Sequence, residues 1–382
     1  MQADRVQAIG KKIFISTGEL SGEVHACHLV ESLRKTGDLR VTAMGSEKLA
    51  ATGARIVRDY RDISVTGLSE VLSHAGNIRK AFDIVKTHIR TERPDLVVLV
   101  DFPGFNMRIA RFARSLGIPV IYFIPPQVWA WKRGRLRKIR RYVDMAICIL
   151  PFEEEMYTRA GVPAVYIGHP FAETVRPTLT RDEFLAKAGV PGNRPILTVM
   201  PGSRRNEIRR HMPVLSATLA AVRRSIPGLL VLLPLADNID EAVVRPYLQD
   251  DHGVTVLRGN SHDALAYCDA AIVASGSATL EAALLKAPTA IIYRISWLSY
   301  AIARLIVHVD YIGLPNIVAG KEVFPEFVQR LDPEIIARKA LTMIDKGRQD
   351  VAGELGSIVD KLKKKDSYRL AADAVLHFLE RT

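Results

Sequence analysis

The chain holds only three cysteines in 382 residues, Cys27, Cys148 and Cys268. They are far apart, odd in number and each set in an apolar context. That argues against a disulfide framework or a cysteine metal site, and for core thiols in a reducing compartment. Long hydrophobic runs are scarce as well. No window reaches the roughly 18 uninterrupted apolar residues of a spanning helix. The nearest candidate, Leu298 to Leu314, is broken by Arg304, His308 and Asp310. The first apolar run, Ile13-Phe14-Ile15, is too short for the core of a secretory signal. The expectation is a cytoplasmic protein, with peripheral contact to a membrane left open.

Several chemical signatures are missing. There is no G-x-G-x-x-G fingerprint after the first strand, no Gly-Lys-Ser/Thr of a Walker loop, and no Gly-x-Ser-x-Gly elbow. His25, His28 and His169 have apolar or turn neighbours and no carboxylates at ligand spacing, so neither a metal nor a cofactor is expected. Acidic residues are outnumbered, 41 against 53 basic ones, for a net charge of +12. Such an excess favours anionic partners: phosphorylated ligands, nucleic acid or an acidic membrane surface.

What is present is a βα rhythm. Lys12–Ser16, Val41–Met44, Leu96–Asp101, Val120–Ile124 and Met145–Ile149 read as strands. Helices are expected near 23–35, 68, 77–90, 105–116 and 152–160. Gly168-His169-Pro170-Phe171 breaks the pattern, and a second series restarts at Ile196–Met200. It continues through a helix over 207–224 and strands at Leu229–Leu233, Val254–Leu257, Ala270–Ala274 and Thr289–Tyr293. The order predicts an α/β chain with two doubly wound, Rossmann-like parallel-sheet domains facing a cleft. The boundaries are 1–172 and 173–365, with a last helix over about 366–382 able to pack back on the first domain.

Five loops carry possible chemistry. Ala274-Ser275-Gly276-Ser277-Ala278-Thr279-Leu280-Glu281 joins a strand to a helix through residues with little side chain. It suits either a phosphate at the helix N-terminus, with Glu281 toward a ribose, or an ordinary capped turn. Pro201-Gly202-Ser203-Arg204 follows another strand; its backbone is open, and Arg204 can clamp a diphosphate. Two phosphate-suited loops in one sheet tell more than either alone. Ser16-Thr17-Gly18-Glu19-Leu20-Ser21-Gly22-Glu23 reads as a close-approach loop with two carboxylates, or as a capped turn. Asp101 ends an apolar strand, where a desolvated carboxylate serves as a general base or caps the next helix. Asn106 fits a structural or substrate hydrogen bond. Asn316 and Gln329 suit a base or a sugar, and loop turn chemistry explains them equally well. Beyond these, Trp129 and Trp131 precede Lys132, Arg133, Arg135, Arg137, Lys138, Arg140 and Arg141, a one-sided run suited to lipid headgroups or a substrate phosphate. Trp297, Leu298, Ala301, Ile302, Leu305 and Ile306 lie at helical spacing, for core packing or an interface.

In order, Gly18-Glu19-Leu20-Ser21-Gly22, Asp101-Phe102-Pro103-Gly104-Phe105-Asn106, Val128-Trp129-Ala130-Trp131, Gly168-His169-Pro170, Pro201-Gly202-Ser203-Arg204 and Ser275–Glu281 resemble the lipid-A-disaccharide synthase family. The resemblance runs from about Lys12 to Gln329. Two positions depart from the family pattern: Glu23 stands where Asp is expected, and Gln127 where Ser is expected. The resemblance implies an inverting, metal-independent glycosyltransferase of the GT-B type. The donor would be a UDP-linked 2,3-diacylglucosamine and the acceptor 2,3-diacylglucosamine 1-phosphate. The products would be a β-1,6-linked lipid A disaccharide 1-phosphate and UDP. In that reading Asp101 is the base, and Glu19 positions the acceptor or assists. Ser203, Arg204 and the Ser275, Gly276, Ser277, Ala278 and Thr279 loop hold the diphosphate. Glu281 takes the ribose, while Asn316, Gln329 and Asn106 hydrogen-bond substrate. The setting implied is the cytoplasmic side of the inner membrane of a Gram-negative-type bacterium, on an anionic surface, with no nucleic acid and a homodimer left open. Two rival readings are a UDP-sugar epimerase of the same fold and a basic nucleic-acid-binding protein.

Overall fold

Leu96–Val100 is five consecutive buried apolar residues, the pattern of a strand covered on both faces. It lies in mid-sheet in the computed structural model, which describes residues 10–63, 75–128, 134–248, 253–306 and 309–382. The chain divides into two compact units, Met1–Pro170 with Lys364–Thr382, and Phe171–Lys363.

The first unit holds strands β1 (Lys11–Ser16), β2 (Leu39–Met44), β3 (Arg55–Arg58), β4 (Leu96–Val100), β5 (Val120–Phe123), β6 (Met145–Cys148) and β7 (Ala164–Tyr166). They form one parallel sheet in the order β3-β2-β1-β4-β5-β6-β7. Successive residues of a strand point to opposite faces. Ile13, Ile15, Val98 and Val100 therefore feed one core, and Phe14, Val97 and Leu99 the other. The C-terminal helix Ser367–Glu380 buries Ala371, Ala372, Val375 and Leu379 in the first of these, beside Leu29 and Leu33 of the helix Leu20–Thr36.

The second unit repeats the plan with β8 (Ile196–Met200), β9 (Leu230–Leu235), β10 (Val254–Arg258), β11 (Ala270–Ala274), β12 (Thr289–Tyr293) and β13 (Glu326–Val328). Their order is β10-β9-β8-β11-β12-β13, again all parallel. Leu197, Val199, Leu233, Ile272 and Ile292 fill its core. Strands β3, β7 and β13 go beyond the sequence reading; each is a three- or four-residue edge strand without a sustained apolar run. The expected helix near Leu68, and Trp129, Trp131, Lys132 and Arg133 of the basic segment, lie outside the described residues.

Each sheet reverses its winding once, between β1 and β4 and between β8 and β11. Doubly wound sheets bind ligands at the carboxyl ends of the strands flanking such a point. Those ends carry Thr17–Gly22 and Asp101–Asn106 in the first unit, and Pro201–Arg204 and Ser275–Glu281 in the second.

Candidate active site

In the first unit the ends of β1 and β4 are tied by Asn106, which is fully buried. Its Oδ1 accepts the Ser16 hydroxyl at 2.7 Å, and its Nδ2 donates to the carbonyls of Ser16, Val100 and Asp101 at 3.2, 3.1 and 2.8 Å. Tyr122 Oη also donates to the Asp101 carbonyl, at 2.8 Å. These bonds hold Asp101 and Phe102 in consecutive left-handed conformations, φ 47° and 48°. Two such non-glycine residues cost on the order of 1–3 kcal/mol each. The gain is placement: the Asp101 carboxyl stands at the sheet edge, and burial pushes its pKa above the usual carboxylate value. The first turn of the helix Leu20–Thr36 abuts it; a Cβ on Gly22 would lie 3.5 Å from Asp101 Cβ and 2.9 Å from Thr17 Oγ1. Gly18 is required because the Phe102 ring occupies the space a side chain would take; a Cβ there would lie 2.1 Å from the ring. Glu19 is the N-cap residue of that helix and is half-buried.

Glu23 turns the other way. Its buried carboxylate accepts from the Ser46 backbone N–H, from Ser46 Oγ at 2.8 Å and from Tyr60 Oη at 3.0 Å. It anchors the loop after β2 to the helix Leu20–Thr36.

In the second unit the loops after β8, β9 and β11 enclose a cavity of about 400 Å³. Gly202, Ser203, Glu207, Asp237, Ser275, Gly276, Ser277, Ala278 and Glu281 line it. The helix Ser277–Leu284 opens onto this cavity; the Thr279 N–H donates to the Gly276 carbonyl at 3.2 Å, and helix geometry gives the other first-turn N–H groups no internal partner. They give the cavity wall a partial positive charge. Gly202 has φ 122°, and a Cβ there would meet Glu207 Oε2 at 2.9 Å, so the loop can close on Glu207 only with glycine. Arg204 caps the helix Arg205–Ser225 from the exposed side; its Nη1 donates to Glu207 Oε1 at 2.8 Å. Buried His211 fixes the loop from beneath. Its Nδ1 donates to the Pro201 carbonyl at 2.7 Å, and its Nε2 accepts from the Arg294 N–H at 3.0 Å. One donor and one acceptor define the neutral ring, in keeping with a pKa lowered mainly by burial.

A family model described as lipid-A-disaccharide synthetase matches residues 13–378. The lipid-A-disaccharide synthase of Syntrophus aciditrophicus is 39% identical over 97% of this chain and 99% of its own length. That of Geobacter metallireducens is 42% identical over 84% of both chains. The chain belongs to the lipid-A-disaccharide synthase family. It is thus a glycosyltransferase, of the family that forms the lipid A disaccharide. Among solved structures, Staphylococcus aureus MnaA in a co-structure with UDP superposes with a TM-score of 0.67 at 14% identity, over 97% of this chain and 98% of that one. A putative UDP-N-acetylglucosamine 2-epimerase from Listeria monocytogenes gives 0.66 at 13%, over 98% of each. These share the fold, and the two-sheet GT-B architecture is the one expected of the synthase family.

Within this family frame the remaining candidates fall into two groups. Ser203, Ser275–Ala278 and Glu281 gather at the second-unit cavity. Thr279 is buried beneath it, its hydroxyl donating to the Gly276 carbonyl at 2.8 Å. Asn316 and Gln329 lie apart from the cavity lining. The Asn316 amide donates to Phe324 O and Glu326 Oε1 at 2.7 and 2.8 Å and accepts from Val323 N and Phe324 N at 2.8 and 2.9 Å. Gln329 exchanges two bonds with the Ile295 backbone. Asp237, His211 and His262 are absent from the sequence reading, which has Glu207 only as the start of a helix. Asp237 follows β9 at the same sheet edge, which is the signal that could have found it. His211 and His262 give none, because their partners are 83 and 19 residues away in the chain.

Proposed function

We propose that the chain transfers 2,3-diacylglucosamine from UDP to the 6-hydroxyl of 2,3-diacylglucosamine 1-phosphate, giving the β-1,6-linked disaccharide 1-phosphate and UDP. The second-unit cavity is the observation that carries this reading: small residues, a helix N-terminus and the Glu281 carboxylate suit a nucleoside diphosphate, with Arg204 next in the chain to the lining residue Ser203. Asp101 accepts the proton of the acceptor hydroxyl. The freed oxygen attacks the anomeric carbon from the face opposite UDP, and the bond to the diphosphate oxygen breaks with its electron pair. Arg204, Ser203 and the Ser275–Thr279 loop stabilise the charge that builds on the diphosphate. Glu281 accepts from the ribose hydroxyls, and Glu19 orients the acceptor.

The acceptor is an anionic lipid, and the first unit offers surface for one. Leu20 and Val24, one helical turn apart beyond the Glu19 loop, are exposed. A groove of about 720 Å³ begins at Pro103 and is lined by Phe82, Lys86, Met107, Arg108, Arg111, Phe112, Lys138 and Tyr142. The three helices around it, Ala75–Glu92, Pro103–Ser115 and Gly134–Tyr142, carry twelve Lys and Arg against two acids. Lys86 Nζ sits 4.9 Å from the centre of the Phe112 ring. Cations over an aromatic floor suit phosphate headgroups at an apolar boundary. Among the described residues no helix is long and apolar enough to cross a membrane, so the association proposed is peripheral, on the cytoplasmic side of the inner membrane.

The test is incubation with both glucosamine lipids and mass analysis. The reading requires a disaccharide 1-phosphate, with UDP released only when donor and acceptor are both present. An epimerised UDP-sugar formed without acceptor would replace it with the epimerase reading.

A further inference from the structure

At the rim of the second-unit cavity, Glu281 Oε2 lies 3.3 Å from Nε2 of His262. His262 is the second residue of the helix Ser261–Tyr267. The Arg176 backbone beside the ring, like Glu281, favours its protonated form. A carboxylate and a carbonyl are both acceptors, and a neutral imidazole has one N–H to give. The protonated ring has two. The Arg176 end is itself fixed: the next residue, Asp263, accepts from Thr178 N, Thr178 Oγ1 and Leu179 N at 2.7, 2.8 and 2.9 Å. The Arg176–Leu179 segment is thereby strapped to the helix that carries His262.

We infer that His262, set against the Glu281 carboxylate at 3.3 Å, is the positioning residue that holds Glu281 toward the ribose hydroxyls of a bound uridine nucleotide. This rests on the placing of Glu281 at the ribose in the proposed function. Without the ring, the Glu281 side chain loses its fixed direction. The other charged groups around the ring are Asp263 beside it and Arg176, with Glu173 on the helix Phe171–Thr174 packed on Ser277–Leu284. Lys187, donating to Asn260 at 3.0 Å, and Arg348, donating to the Leu265 carbonyl at 3.1 Å, are cations at the two ends of the His262 helix. The hydrogen bond to Glu281 raises the His262 pKa above 6.5, with burial opposing and Asp263 adding to the rise. The strut is complete below that raised pKa and is lost as pH climbs through it.

The experiment is titration calorimetry of the full chain with UDP, 2′-deoxy-UDP and inorganic pyrophosphate, from pH 6 to pH 9. A hydrogen bond to a charged group discriminates by roughly tenfold or more. The native protein should prefer UDP over the deoxy analogue by about that factor at pH 6, and less at pH 9. His262→Gln should bring the preference within about twofold at every pH and leave pyrophosphate affinity unchanged, which also reports an intact fold. His262→Arg, a permanent cation with several donors, should keep the preference and lose its pH dependence. Retention of the full preference and its pH dependence in His262→Gln, while Glu281→Gln abolishes it, overturns the inference alone. A Glu281→Gln protein that discriminates like the native one overturns the ribose assignment beneath it.

Discussion

The Ser16 hydroxyl donates to Asn106 Oδ1 at 2.7 Å, and Asn106 Nδ2 returns a bond to the Ser16 carbonyl at 3.2 Å. One buried amide thus closes the sheet edge where β1 and β4 part. Asn106→Ala would remove the partner of the Ser16 hydroxyl and a donor to the Ser16 and Val100 carbonyls, while the Asp101 carbonyl keeps its bond from Tyr122 Oη. Leaving such groups unpaired costs about 1–3 kcal/mol apiece before relaxation, so a loss of about 3 kcal/mol in urea unfolding is expected. Turnover should fall by more than tenfold as well, because the left-handed backbone at Asp101 loses a restraint. Unfolding curves and initial rates on the same preparation check both; an unchanged rate with lowered stability would separate the amide from placement of Asp101.

Asp101→Asn should lower turnover by about 10²–10⁴-fold, the usual worth of a general base, and leave UDP affinity near normal. The same change should raise the urea midpoint at neutral pH. The sign follows from burial: the folded pKa lies above the unfolded value near 3.8, so the charged form weighs against the fold once pH exceeds that value. In the native protein kcat/KM should decline as pH falls through this raised pKa, so the acid limb sits above the ordinary carboxylate range. Near-normal turnover in Asp101→Asn would remove it from the base role.

The strands at both switch points are legible in the sequence because β4 and β11 are unbroken apolar runs and β1 and β8 are largely apolar, each followed by small or turn-forming residues. Strands β3, β7 and β13 are not, since three or four edge residues carry no period. The small residues of Ser275–Ala278 mark a strand-to-helix turn from sequence alone and leave its capping open; in the structure Gly276 stands at the N-cap with no side-chain bond. Glu23 shows the limit: its spacing in the first loop is that of a ligand-facing carboxylate, yet its partners are Ser46 and Tyr60. Long-range pairing of this kind has no local signature.

The basic groove makes a prediction of its own. A cation near an anionic bilayer contributes about 1 kcal/mol. Reversing Lys86, Arg108, Arg111 and Lys138 to Glu together should weaken binding to phosphatidylglycerol vesicles by at least about 10²-fold. Uncharged phosphatidylcholine vesicles should bind both proteins equally, and added salt should weaken the native interaction. Vesicle sedimentation measures all three. Equal binding of the native and reversed proteins to the anionic vesicles would move the membrane surface elsewhere on the chain.

Acid should loosen the first unit through two histidines. His25 Nδ1 lies 2.9 Å from Tyr368 Oη, which joins the helix Leu20–Thr36 to the C-terminal helix. Burial, with the charge of His28, lowers the His25 pKa to about 4; burial, with His25, lowers that of His169 to about 3. Both stay neutral in the fold and protonate near 6.5 once unfolded, so their contribution is complete above pH 6.5. It is lost as pH falls from there through the folded values. Each ring removes about 1.4 kcal/mol per pH unit across its window, or roughly 2 kcal/mol by pH 5. Urea unfolding at pH 7 and pH 5 should therefore show a drop that His169→Gln reduces by about that amount. An identical drop in native protein and variant would mean that His169 is already protonated in the fold.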